Sequence, residues 1–144
     1  MKYDKFFLAL LGASSAHAEA SRRIFNDLGL TEAQPKILYI LNAYEGSVQK
    51  DFAKLCGIKP STLTVQLTRM EQEGLVRKEA CQVSGGKKAY RLYLTEQGKA
   101  LASSLEERID KLEEQSFAGF SAEERQTLMQ LLEKVEDNLC QGTY

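Results

Sequence analysis

Ser61, Thr62, Thr64, Val65 and Gln66 form a run of short hydrogen-bonding and methyl-bearing side chains, with Lys59 just before it and Arg69 just after. Side chains of this size reach donor and acceptor atoms at the edge of a nucleic-acid base. A glutamine can pair with adenine through two hydrogen bonds, and valine methyls can meet the 5-methyl of thymine. Lys59 and Arg69 supply charge for phosphate. Two of these assignments have alternatives. The Ser61 and Thr62 hydroxyls could equally cap a helix or bond phosphate, and Arg69 could pair with Glu73 four residues on. Further along, Lys87, Lys88 and Arg91 gather a second group of cations beside Gly85 and Gly86.

The chain of 144 residues has a formal charge of −1, which by itself argues against a polyanionic partner. Its distribution argues the reverse. Residues 49–91 hold nine Lys or Arg against four Asp or Glu, a local +5 that leaves −6 elsewhere. Such a segment is the electrostatic footprint of a nucleic-acid surface.

Other chemistries have little to work with. His17 is the single histidine, no acid–base pair or phosphate-cradling loop stands out, and an enzyme is not expected. The three cysteines, Cys56, Cys81 and Cys140, include no CxxC pair, so neither a metal site nor a disulfide framework is expected, and no cofactor is implied. They read as unpaired thiols, with Cys81 on a hairpin the candidate for oxidant sensing. The apolar run Phe6-Phe7-Leu8-Ala9-Leu10-Leu11 is far short of the roughly 18 residues of a membrane span. It passes directly into helical sequence and has only Lys2 and Lys5 before it, so it reads as a helix start and not a secretory leader. A cytoplasmic, non-membrane protein is expected.

The elements that must hold these residues can be read from periodicity and punctuation. A helix is expected over residues 4–27, stopped by Gly29. Gly12, Ala16 and Ala20 at spacing four make a smooth stripe on it, for close helix packing or for a ligand beside it. Thr31-Glu32-Ala33-Gln34 has the form of a capping box and opens a helix to about residue 44, with Ile37, Leu38, Leu41 and Tyr44 inward. A short helix over 49–56, with Phe52, Ala53 and Leu55 as its apolar residues, ends at Gly57. Pro60 then starts a helix to about 73 with Leu63, Leu67 and Met70 inward, leaving the polar run on its other faces. Two such helices joined at Gly57 make a helix-turn-helix. Strands are expected at 75–78 and 89–94, with a Ser84-Gly85-Gly86-Lys87-Lys88 tip. After them come a long helix from Thr95 to about 118, with Leu101, Leu105, Ile109 and Leu112 on one stripe, and a last helix. Ser121-Ala122-Glu123-Glu124 opens that last helix as a capping box, and its stripe is Leu128, Leu131, Leu132, Val135 and Leu139.

With those residues in place the chain resembles the MarR family of winged-helix regulators over nearly its whole length. The resemblance is carried by Leu30-Thr31-Glu32-Ala33-Gln34 with Ile37-Leu38, and by Phe52-Ala53 through Ser61-Thr62-Leu63-Thr64. Met70-Glu71-Gln72-Glu73-Gly74-Leu75-Val76-Arg77, Leu94-Thr95-Glu96-Gln97-Gly98 and Phe120-Ser121-Ala122-Glu123-Glu124-Arg125 complete it. It implies a mainly α fold with a small β-hairpin wing: a winged helix-turn-helix at 46–95, N-terminal helices at 1–45 for dimerisation and an effector cleft, and C-terminal dimerisation helices at 96–144. It also implies a homodimer on double-stranded DNA with a pseudo-palindromic operator, acting as a repressor released by an oxidant or a small molecule such as an aromatic or amphipathic acid.

On that reading Lys87 and Lys88 enter or flank the minor groove and Arg91 meets phosphate nearby. His17, Tyr39 and Tyr44 lie near the effector cleft, although such residues on amphipathic helices also serve as packing. Two departures stand out. Gly86, Lys87 and Lys88 occupy the places of an Asp-Arg-Arg-like run in the family wing, and Val65 stands where many members have arginine. They favour a weaker or more mobile wing. They also keep open an alternative, a winged-helix adaptor that binds protein and not DNA, for which the +5 segment would have no purpose.

Overall fold

The computed structural model describes residues 1–31 and 33–141. In chain order the elements are α1 (Phe6–Asp27), α2 (Gln34–Ala43), α3 (Gln49–Cys56), α4 (Pro60–Gln72), β1 (Val76–Val83), β2 (Lys87–Leu94), α5 (Glu96–Ser116) and α6 (Ala122–Cys140). This is the expected mainly α fold with a two-stranded antiparallel hairpin. By contacts it divides within α5, into a unit Met1–Ile109 and a second beginning at Asp110.

The core of the first unit collects the apolar stripes of its helices. Ile37, Leu38 and Leu41 of α2, Phe52, Ala53 and Cys56 of α3, and Leu63, Leu67 and Met70 of α4 are all buried. Leu75, Val76, Leu92 and Leu94 at the wing root and Ala102 and Leu105 of α5 join them. Two expected inward residues are not there. Tyr44 and Leu55 are both half-exposed, Tyr44 because the helix has ended before it and Leu55 because Cys56 takes the inward position at the end of α3. Of the 22 residues of α1 only Ser21 and Ile24 are buried, and Phe6, Phe7 and Leu11 face solvent. The Gly12 position of the small-residue stripe lies against the Tyr3 ring, where a Cβ would come within 2.8 Å of the hydroxyl.

The start of α2 differs from the expected capping box. Gln34 Oε1 accepts the Thr31 N–H at 3.2 Å, which is half of the box. The other half is missing: Ala33 is the N-cap residue and no side chain caps it. Glu32 lies outside the described residues.

The strands are longer than the apolar alternation suggested. Pairing runs from Val76 opposite Leu94 to Val83 opposite Lys87, leaving only residues 84–86 as the turn. Beyond Lys78 neither strand has a buried apolar face, so the backbone ladder carries those pairs and periodicity could not reveal them. The turn closes through the Gly86 N–H on the Val83 carbonyl at 3.0 Å, with Gly85 at φ +85° and Gly86 at φ +72°. These are backbone angles that suit glycine and strain other residues.

A feature without a sequence signal anchors the wing. Residues 46–48 run antiparallel to β2, with the Gly46 N–H on the Leu92 carbonyl at 2.8 Å and the Leu92 N–H on Ser47 at 3.0 Å. Val48 bridges Arg91. Glu45 Oε1 accepts the Leu94 N–H at 2.8 Å. On the other side of the wing root, the Thr95 hydroxyl donates to the Gly74 carbonyl at 2.6 Å and accepts the Gly98 N–H at 3.0 Å.

In the second unit Ser121 and Glu124 form the expected capping box, each bonding the other's backbone N–H at 3.0 Å. The Ser121 backbone N–H, with its hydroxyl, holds the Glu124 carboxyl below the usual carboxylate range. Arg125 stacks 4.5 Å from the Phe117 ring centre and reaches Glu113 at 2.7 Å, fastening the turn. No residue of α6 is buried, so the expected stripe of Leu128, Leu131, Leu132 and Leu139 is open to solvent.

Candidate nucleic-acid interface

Gly57, at φ +63°, turns the chain out of α3, and Pro60 occupies the first position of α4, where its missing N–H costs nothing. This turn fixes which face of α4 is outward. Lys59, Ser61, Thr62, Thr64, Val65, Thr68 and Arg69 are exposed, Val65 to 66%.

Gln66 is not among them. It is 5% exposed, so the expectation that it reads a base from an open face is corrected. The physical reason is angular. Gln66 lies three residues after Leu63 and four before Met70, on the same face as both.

Thr64 is outward but its hydroxyl is engaged. It donates to the Pro60 carbonyl at 2.9 Å and accepts from Gln49 Nε2 at 3.2 Å, which leaves its methyl and one lone pair for a partner. Of the alternatives for Arg69, the structure shows the intrahelical one, with Nε 3.2 Å from Glu73 Oε1.

Between the starts of α3 and α4 and the inner side of the hairpin lies a cavity of about 570 Å³. Lys50, Lys78, Lys87 and Lys88 line it together with Tyr90, over an apolar base that includes Leu63. Asp51 adds one acid. Lys78 Nζ lies 3.3 Å from Glu71 and 5.8 Å from the Tyr90 ring centre, so its charge is held at the wall by two partners.

Lys50 and Lys78 were counted in the basic segment but not singled out. They are far apart in the chain, and only the folded arrangement of α3 and the wing brings them to one groove. Lys87 and Lys88 are the first residues of β2, not part of a loop tip. Consecutive strand residues point to opposite faces, so these two are not interchangeable. Arg91, exposed in the middle of β2, is engaged within the protein: its Nη1 donates to the Gly46 carbonyl at 2.8 Å.

The three residues placed near an effector cleft do not line this cavity. His17 Nδ1 lies 3.3 Å from the Ser21 hydroxyl on its own helix, and Tyr39 and Tyr44 are exposed on and just after α2. Cys81 is half-buried on β1 opposite Ala89. Cys56 is buried, and that burial pushes its thiol up to about 11, against a smaller opposing effect of the Lys36 charge.

The model of the MarR family matches residues 30–85, from the residue before the α2 opening to the middle of the wing turn. That stretch of the chain is similar to the MarR family. Solved structures extend the likeness over most of the chain. A MarR-family transcriptional regulator from Silicibacter pomeroyi is 26% identical, with a TM-score of 0.72 over 90% of this chain and 86% of that one. NadR in complex with 4-hydroxyphenylacetate is also 26% identical, with a TM-score of 0.75 and 94% of each chain covered. A MarR-family regulator from Listeria monocytogenes complexed with 26mer DNA reaches a TM-score of 0.81 at 22% identity, over 96% of this chain and 91% of that one, a likeness of fold. The Gly86 departure from the family's wing has a conformational basis. At φ +72° the position suits a glycine, and an aspartate would be strained.

Proposed function

We propose that this protein is a MarR-family, sequence-specific, double-stranded DNA-binding transcriptional regulator. The observation that carries the reading is one continuous surface. The outward face of α4, with Ser61, Thr62 and Val65 open, adjoins a groove walled by Lys50, Lys78, Lys87 and Lys88. An α-helix with short polar and methyl-bearing side chains fits the major groove, and a lysine-walled channel beside it fits the sugar-phosphate backbone. Lys59 and Arg69 flank that helix as phosphate partners. The hairpin, with Lys87 and Lys88 at its outer end, reaches toward the minor groove. Thr64 takes part through its methyl.

The working unit is a homodimer. Helix α1 exposes Phe6, Phe7 and Leu11, and α6 exposes Leu128, Met129, Leu131 and Leu132, surfaces that a monomer would leave in water. Residues 1–45 and 96–144 supply the dimer contacts and 46–95 the DNA contacts. Two recognition helices in such a dimer read half-sites about one DNA turn apart. Repression is the mode assigned, on the resemblance to the MarR family alone. Release is assigned to an aromatic or amphipathic acid, with support from the 4-hydroxyphenylacetate held by NadR. His17, Tyr39 and Tyr44 are the residues to substitute first in locating that ligand.

Fluorescence anisotropy with the intergenic duplex upstream of the chain's own gene tests the reading. Binding roughly 10³-fold tighter than to a shuffled duplex of equal length is expected. Equal affinity for the two, or none for either, would remove sequence-specific recognition and favour the adaptor.

A further inference from the structure

Glu73 occupies an electrostatically poor position. It is the C-cap residue of α4, at the negative end of the helix dipole, where a carboxylate is disfavoured. Its pair with Arg69 also runs in the weaker sense, the acid four residues C-terminal to the base, and both side chains are open to water. Helix stability gives no reason for a glutamate here.

A second partner does. Gln34, the first residue of α2 and 1% exposed, donates from Nε2 to Glu73 Oε2 at 3.2 Å. The other carboxylate oxygen, Oε1, accepts from Arg69 Nε. Gln34 is itself held, its carbonyl oxygen taking the Thr31 N–H. The two oxygens of Glu73 are thus divided between α2 and the recognition helix.

We propose that Glu73 is a positioning residue that withholds Arg69 from DNA phosphate, and that Gln34 sets how firmly it does so. The Nε edge of a guanidinium can face this carboxylate or a phosphate, and engaging one gives up the other. An exposed pair ordinarily loses much of its benefit to side-chain entropy. Here a buried glutamine has already fixed the carboxylate, which lowers the entropy cost of the pair. The start of α2 and a DNA-facing cation are therefore coupled through one side chain, and a shift of α2 that breaks the Gln34 bond loosens Arg69. The proposal rests on α4 being the DNA-facing helix.

The test is a cycle in the full-length protein: Glu73→Gln and Arg69→Gln, singly and together, with binding to the operator duplex measured across a salt series. Glu73→Gln is expected to tighten binding about three- to tenfold and to steepen the log K against log[salt] slope by roughly one unit. In the Arg69→Gln background it should change affinity less than twofold. An equal gain in both backgrounds would show that Glu73 acts only as a charge, and no gain would show that it does not restrain Arg69; either overturns the proposal.

A second measurement needs no DNA. In ¹⁵N-edited spectra of the free protein the Arg69 Nε–H should lose its shift and exchange protection in Glu73→Gln, and lose part of both in Gln34→Met. An Arg69 signal indifferent to Gln34→Met overturns the coupling, whatever the DNA result. A wild-type chain that binds no duplex removes the DNA reading, and this proposal with it.

Discussion

Arg91 Nη1 donates to the carbonyl oxygen of Gly46 at 2.8 Å, joining the middle of β2 to the loop that leads into α3. The Gly46–Leu92 and Leu92–Ser47 backbone bonds run beside it, so the wing is fixed to the helix-turn-helix by an isolated antiparallel bridge and one guanidinium. A residue that the chain's charge pattern assigns to phosphate thereby acts within the protein.

Arg91→Ala should therefore weaken DNA binding without flattening its salt dependence. One hydrogen bond from a charged donor is lost, about 1.5–3 kcal/mol at most and less for this exposed group. A thermal melt should show a modest fall. A log K against log[salt] slope reduced by about one unit would instead place Arg91 on phosphate.

Lys87→Ala together with Lys88→Ala should lower affinity for every duplex and flatten the same slope by roughly one to two units. The single variants should differ, because the two lysines start from opposite faces of β2. An unchanged slope in the double variant would take the wing out of the interface.

Val65, 66% exposed on α4, should contact a thymine methyl. Replacing thymine by deoxyuridine at each operator position in turn should cost the wild type roughly 1 kcal/mol or less at one position per half-site, about the value of one buried methyl. Val65→Ala should be insensitive to that replacement. A wild type indifferent at all positions would mean that Val65 touches no thymine.

Gly98 stands in the first turn of α5, where an added Cβ would collide with the Leu75 carbonyl oxygen. That atom is backbone, and it already accepts the Thr95 N–H at 3.0 Å. Gly98→Ala must push the start of α5 away from the Leu75 backbone, at a cost of about 3 kcal/mol or more, since overpacking alone typically costs 1–3. Urea denaturation would measure it, and a midpoint unchanged from wild type would contradict the close approach.

Burial raises the Cys56 thiol from 9.0 to about 11, so between those values the folded protein holds a proton that the unfolded chain has released. The associated stability is complete below about pH 9 and is lost as pH rises toward 11, on the order of 2 kcal/mol in all. Urea unfolding at pH 8 and pH 10.5 should show the fall, and Cys56→Ala should lessen it. At neutral pH native alkylation should modify the exposed Cys140 well before Cys56. Rapid labelling of Cys56 would refute its burial.

The elements were legible because their signals are local. Leu63, Leu67 and Met70 at helical spacing, Gly57 after a short helix and Pro60 before a longer one locate α3 and α4 with no knowledge of what they pack against. Ser121 and Glu124 form their capping box within four residues. The misreadings came where residue type was weighed above helical angle, or where no local pattern existed. Gln66 looked available because it is polar, yet its angle on α4 carries it inward with Leu63. The capping box at Thr31 formed only in half, because the Gln34 N–H bonds the Thr31 carbonyl at 3.1 Å and not its hydroxyl. The outer halves of β1 and β2 had no apolar alternation to betray them.

The amino-acid sequence by itself determined the helix-turn-helix, the hairpin after it, the concentration of positive charge there and the resemblance to the MarR family. These depend on side-chain period, turn residues and net charge, which are properties of neighbours along the chain. Only the tertiary structure decided which members of that basic segment share a surface. It brought Lys50 and Lys78 into a groove with Lys87 and Lys88, and gave Arg91 and Arg69 partners within the protein. Partnership between residues dozens of positions apart is set by how helices and strands pack, and period and composition do not encode it.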